Sequence, residues 1–221
     1  MYQRLLALGL AVGLAFFSTP AALAAEPRNL STAKAEIDHY LDAGAYDRDL
    51  AAVAKRAQQY LEKRIPRGAP TGRKLAIVFD IDETTLSNID HIRKNDYGYL
   101  PVVWDQWVAE GTAPVIAPIK AVYDTAVRGG VTVFFITGRR EPGRAGTEKN
   151  LRAVGYTTWE RIYFKAVSDQ GLSSAFKTRV RQQIEAEGYV IIANIGDQTS
   201  DLIGGYAEKT FKLPNPLYLA P

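Results

Sequence analysis

The sequence predicts an α/β fold: a doubly wound parallel sheet with a small helical or irregular insertion and an N-terminal helical extension. Three observations carry this. Short apolar runs of strand length recur at 75–79, 131–136, 161–164 and 189–195. They are apolar nearly throughout, as strands buried on both faces are. The stretches between several of them carry helical spacing, and strands alternating with helices imply a parallel sheet covered on both sides.

Residues 1–24 read as a secretory signal peptide. Arg4 is the positive end, 5–17 the apolar core, and Ala22-Leu23-Ala24 a small-x-small cleavage site. The core is short for a span of about 20 residues, and Pro20 follows it, so cleavage is expected rather than a membrane anchor. Residues 25–221 then form a single domain in the periplasm or outside the cell. The chain has no Cys, which excludes disulfides, zinc-thiolate centres, a cysteine nucleophile and a lipid-bearing cysteine. Two histidines, His39 and His91, are too few for a multi-histidine metal centre, and each reads as an ordinary helix or loop residue. A net charge of +3 does not call for a nucleic-acid polymer or a membrane as partner.

Within 31–65 the spacing predicts two helices. Ser31 and Thr32 can cap the first and Gly44 can end it, while Leu50, Val53, Ala54, Ala57, Tyr60 and Leu61 mark the buried face of the second. Asp47 and Asp49 fall in this helical pattern and read as solvated surface. Pro66, Gly68, Pro70 and Gly72 form a turn-rich link to the first strand. That strand delivers Asp80-Ile81-Asp82 at its far end. If the extended geometry persists, Asp80 and Asp82 point one way and Ile81 the other. Two carboxylates facing one small volume call for a metal ion or a shared proton.

Residues 87–118 read as an irregular insertion with Tyr97, Tyr99, Trp104 and Trp107 close together; 119–129 reads as a helix, 174–187 as another, and 210–213 as a weak last strand. Trp107 is expected to pack the insertion down, while Tyr97, Tyr99 and Trp104 are open to stacking on a flat leaving group. In doubly wound folds ligands bind at the carboxyl ends of the strands. Polar residues follow the strands in that way: Asp80 and Asp82, then Thr137-Gly138-Arg139, then Gly196-Asp197 through Asp201. Arg139 and Arg140 can attract an anion, although an exposed arginine pair after a strand is the commoner case. Asp96, Asp105, Asp124 and Asp169 read as surface or capping residues.

In this order the residues resemble the haloacid dehalogenase (HAD) superfamily of phosphohydrolases. Asp80-Ile81-Asp82-Glu83-Thr84 matches its first motif, Thr137 its second, and Gly196 through Asp201 its fourth. The surroundings, Leu86-Ser87-Asn88 and Gln198 with Ser200-Asp201-Leu202, resemble subfamily IIIB, which holds class B-like and class C acid phosphatases and plant vegetative storage proteins. The resemblance spans about 35–215 and implies the Rossmann-like HAD fold with 87–118 as cap. It also implies a metal-dependent acid phosphatase acting on small phosphate monoesters. Asp80 would be the nucleophile that forms an aspartyl phosphate and Asp82 the general acid and base. Mg²⁺ would be held by Asp80, the backbone carbonyl of Asp82 and Asp197, with Asp201 behind them. Thr137, Gly138 and a lysine would hold the phosphate, and Lys177 is favoured over Lys165 for that place. Nucleoside monophosphates are a candidate substrate. A non-catalytic storage or binding relative and a phosphotransferase are the alternatives. Class C relatives on bacterial surfaces carry a lipid-bearing cysteine, whereas Ala25 stands here.

Overall fold

In a computed structural model that describes residues 26–220, five parallel strands form one sheet in the order β3-β2-β1-β4-β5. The strands are β1 (Lys74–Phe79), β2 (Thr132–Arg140), β3 (Arg161–Lys165), β4 (Tyr189–Gly196) and β5 (Thr210–Lys212). The expected signal peptide and its cleavage site lie outside the described residues. Chain direction across the sheet reverses between β1 and β4, which opens a crevice at their carboxyl ends. The fold class is the expected doubly wound α/β.

Alternation along the strands sorts side chains into two cores. Ile77 and Phe79 of β1 pack toward α2 (Ala45–Arg64) and α5 (Ala117–Arg128), while Ala76 and Val78 pack toward α7 (Ser173–Ala186). α2 buries Leu50, Val53, Ala54, Ala57 and Leu61, the face its spacing predicts, and α1 (Leu30–Asp42) packs outside it. An irregularity shifts the β1–β4 register, so that Ala76 pairs with Ile191 and Ile77 with Ala193. The shift changes which face the last residues of β4 present, just before Asp197.

One feature sharpens the sequence reading and two depart from it. The insertion 87–118 is largely helical, with α3 (Ile89–Lys94) and α4 (Pro101–Glu110); Pro101 starts α4 and Gly111, at φ 60°, ends it. A further helix, α6 (Arg144–Ala153), lies between β2 and β3 and packs on α4. Its buried residues are Thr147, Asn150 and Leu151, two of them polar, so no apolar stripe announces it. β2 also runs on to Arg140, because Arg140 regains pairing with Lys165 after an irregularity beyond Thr137.

Candidate active site

β1 ends at Phe79, and Asp80 follows as a buried carboxyl at the strand's carboxyl end. The chain then leaves the strand. The carbonyl of Ile81 accepts the N–H groups of Thr84, Thr85 and Leu86, which closes a tight loop around it. Ile81 points into the core while Asp80 and Asp82 both line a cavity, so the two carboxylates do face one volume, although a loop places them there. Glu83 completes the loop at φ 52°, a left-handed conformation uncommon for a residue with a Cβ. Its buried carboxylate accepts the N–H of Asn88 at 2.6 Å and the hydroxyl of Tyr218 at 2.6 Å. Burial, with the neighbouring Asp82 charge, pushes its pKa up to about 8.

Lys177 comes up from α7 between two of the acids. Its Nζ donates to Asp80 Oδ1 and to Asp201 Oδ1, each at 2.5 Å. Lys165 is turned elsewhere and donates to the carbonyl of Gly171. Burial raises the pKa of Asp80; Lys177 opposes this, while Asp201, Asp197 and Asp82 add to it. For Lys177, burial disfavours the charge, but Asp201 and Asp80 outweigh it and the ammonium is held above its ordinary value.

The loop after β4 supplies the other acids. Gln198 and Asp201 form a capping box at α8 (Thr199–Leu202), in which Asp201 Oδ2 accepts the Gln198 N–H at 2.8 Å. Gly196 is required there, because a Cβ on it would lie 2.3 Å from Asp201 Oδ2. Asp197 accepts from Thr84 on one oxygen and from Gln198 and Asn215 on the other. Burial, then the charge of Asp201, pushes its pKa up to about 6. Asn194 and the fully buried Arg181 both donate to the carbonyl of Asp201 and fix the loop from below. Neither is marked in the sequence by more than its residue type.

Asp80, Asp197 and Asp201 each offer a carboxylate oxygen within 4.8 Å of the others. Three hard oxygen donors this close together fit a small divalent cation. Asp201 has both oxygens engaged by Lys177 and Gln198, which suits a place behind the ion; Asp80 Oδ2 has no donor among the described residues.

β2 brings Thr137, Gly138 and Arg139 to the same edge. Thr137 is fully buried, and its hydroxyl accepts the Arg139 N–H at 3.1 Å; Gly138 and Arg139 reach the cavity. Arg139 corrects the reading of an exposed arginine pair. It is 5% exposed, donates to Asp82 Oδ1 through Nη2 at 2.7 Å and Nε at 3.0 Å, and reaches Thr147 of α6. Arg140 remains at the surface, bonded to carbonyls of the loop after β3.

The cavity, about 390 Å³, is walled on one side by Tyr97, Tyr99 and Trp104 of the insertion and on the other by Leu217, Tyr218 and Leu219. His91, read from sequence as ordinary, lies in this wall, stacked on Trp107 with ring centres 5.0 Å apart. Trp107 packs against the core as expected. The segment 215–220, which carries no periodicity, is tied across the site by Asn215 to Asp197, Tyr218 to Glu83, and Ala220 to Gln198 and Ser200. Asp96, Asp124 and Asp169 lie away from the cavity, paired with Lys34, Lys120 and Arg179, and Asp105 is exposed.

Comparison with known proteins agrees with this arrangement. The family model described as HAD superfamily, subfamily IIIB (acid phosphatase) matches residues 7–221. The chain is 37% identical to the stem 28 kDa glycoprotein of Glycine max over 186 residues, 81% of this chain and 71% of that one. It is 34% identical to acid phosphatase 1 of Solanum lycopersicum over 187 residues, 82% of this chain and 72% of that one. The class C acid phosphatase of Bacillus anthracis shares the fold, with a TM-score of 0.71 over 85% of each chain at 24% identity. Motif, sheet edge and family thus agree: the chain belongs to subfamily IIIB of the HAD superfamily, the acid phosphatases, and is a phosphoric monoester hydrolase of that type.

Proposed function

We propose that the protein is an exported, divalent-metal-dependent phosphatase that cleaves small phosphate monoesters through an aspartyl phosphate on Asp80. The observation that carries this is the buried Asp80, clamped by Lys177 at 2.5 Å at the floor of the cavity, with Oδ2 accepting no hydrogen bond among the described residues. A carboxylate so held is ordered for in-line attack, and an ammonium beside it can follow the charge onto the phosphoryl oxygens.

In the first step, Asp80 forms a bond to phosphorus as the ester P–O bond breaks, and a proton passes from Asp82 to the departing oxygen. In the second, water attacks the phosphoryl group, gives its proton to Asp82, and the Asp80 acyl-phosphate bond breaks. Lys177 and the N–H of Gly138 hold the phosphoryl oxygens, and Thr137 shapes that turn from beneath through its bond to Arg139. Asp80, Asp197 and the backbone carbonyl of Asp82 would hold Mg²⁺, with Asp201 behind; when bound, the ion offsets repulsion between carboxylates and phosphate. The aromatic wall of Tyr97, Tyr99 and Trp104 supports a flat leaving group, and a nucleoside monophosphate fits that description.

The test is hydrolysis of a chromogenic monoester by the mature protein in Mg²⁺ and in EDTA, beside Asp80→Asn. Turnover that needs the metal and vanishes in the variant is the expected result. A folded protein inactive in Mg²⁺, Mn²⁺ and Co²⁺ would refute the proposal. A monophosphate series without base preference would refute the nucleoside reading. Export predicts a mature N-terminus at Ala25.

A further inference from the structure

Asp82 has three donors crowded on one oxygen. Asn88 Nδ2 donates to Oδ1 at 2.9 Å, beside Arg139 Nη2 at 2.7 Å and Nε at 3.0 Å; Oδ2 keeps a single 3.2 Å contact to Arg139 Nε. The carboxyl is therefore asymmetric. Oδ1 is saturated, and any proton it carries belongs on Oδ2.

Asn88 is fully buried and every polar atom of its amide is used. Its Oδ1 accepts the indole N–H of Trp107 at 2.8 Å, and its Nδ2 donates to Asp82 and, at 3.3 Å, to Glu83. An indole can only donate and a carboxylate oxygen can only accept, so these partners fix which end of the amide faces Asp82. With the amide reversed, an oxygen would meet Asp82 and an NH₂ would meet the indole N–H, both unpaired in a buried place. Trp107 thus sets Asn88, and Asn88 together with Arg139 holds Asp82 by Oδ1.

We propose that Asn88 is a positioning residue for proton transfer: oriented by Trp107 of α4, it holds Asp82 by Oδ1 so that Oδ2 faces the ester oxygen. This rests on Asp82 being the acid–base group of the phosphatase. Neither Asn88 nor Trp107 touches the reacting atoms. In the step concerned, the ester P–O bond breaks, the Asp80 oxygen bonds to phosphorus, and the proton moves from Asp82 Oδ2 to the leaving oxygen.

A misplaced acid matters only for leaving groups that need a proton. The experiment is kcat/KM, which reports the steps up to the aspartyl phosphate, for 4-nitrophenyl, phenyl and ethyl phosphate in Mg²⁺. Wild type should vary little across the series. Asn88→Ala should lose on the order of 100-fold on ethyl phosphate and less than about threefold on 4-nitrophenyl phosphate, the span general acid catalysis covers. Trp107→Phe removes the indole N–H together with part of the ring that stacks on His91, so its readout is the ordering across the esters and not the overall loss; it should show the same ordering at smaller size, and it decides the matter if Asn88→Ala does not fold. Equal losses on all three esters over a flat wild-type series would overturn the role of Asn88 alone. A steep wild-type series would overturn the assignment of Asp82, and the proposal with it.

Discussion

Replacing Glu83 by Gln should change how stability depends on pH, and the structure gives the size. Glu83 is fully buried beside Asp82, and its pKa stands at about 8 against an ordinary 4.5. Because the folded value is raised, the folded state keeps a proton that the unfolded chain releases. The contribution to stability is greatest below pH 4.5 and is lost as pH rises toward 8. At about 1.36 kcal/mol for each pH unit, the loss between pH 5 and pH 8 comes to about 4 kcal/mol. Glu83→Gln has no such slope. It keeps an oxygen for the N–H of Asn88, at 2.6 Å in the native protein, and an NH₂ that can donate to Tyr218; only the 3.3 Å contact with Asn88 Nδ2 turns unfavourable. That costs about 1 kcal/mol at every pH. Urea unfolding of both proteins in EDTA at pH 5, 6, 7 and 8 should show wild type more stable at pH 5 and the variant more stable at pH 8. A difference that stays constant to within about 1 kcal/mol across that range would refute the reasoning, since no other acid differs between the two proteins.

Lys177→Met removes the cation that Asp80 and Asp201 share and leaves two buried carboxylates without it; the metal-free protein should lose about 3 kcal/mol in urea unfolding near neutral pH. With Mg²⁺ present, its kcat should fall on the order of 10²–10³-fold in ester hydrolysis. Gly146→Ala sets a Cβ 2.1 Å from the carbonyl oxygen of Val108, so α6 must push α4 away, which should cost about 1–3 kcal/mol in thermal or urea unfolding. Since α4 carries Trp104 in the cavity wall, steady-state kinetics of that variant should show KM for an aryl ester rising more than kcat falls.

The parts of this protein legible in its sequence are those written in apolar runs and in charge placed after them. The strands declare themselves because they are buried on both faces, and three of the acid positions follow because each stands just beyond a strand or one helical turn later. Lys177 is favoured over Lys165 through the family resemblance, which calls for a lysine upstream of the fourth motif; in the structure its Nζ lies 2.5 Å from both Asp80 and Asp201. What stayed hidden is polar burial. Arg139 reads as surface until Asp82 and Thr147 close around it, and α6 hides because Asn150 buries itself by bonding both the N–H and the carbonyl of Ala113. Asn88 and Asn215 are amides whose partners lie 19 and 18 residues away, at Trp107 and Asp197. Periodicity carries no record of such pairs. His91 is likewise set in the cavity wall by stacking on Trp107, which no local spacing announces.

The charges at the sheet edge do not balance among the described residues, and the imbalance connects fold to chemistry. Asp80, Asp82, Asp197 and Asp201 line the cavity with two cations, Lys177 and Arg139, both already paired. Two unit charges 4.8 Å apart repel by about 3 kcal/mol even at an effective dielectric constant of 20, so three acids this close cannot all ionise cheaply. Burial first, and then the neighbouring acids, raise the pKa values of Asp80 and Asp197. A phosphate monoester brings further negative charge to the same place. Lys177 offsets one charge and Arg139 is held by Asp82, so under the proposed mechanism a divalent cation held by Asp80 and Asp197 would supply the charge that lets carboxylate and phosphate approach. The fold supports this excess because Asn194 and Arg181 hold the acidic loop by the backbone carbonyl of Asp201, and the Gln198 N–H donates to the Asp201 carboxylate itself.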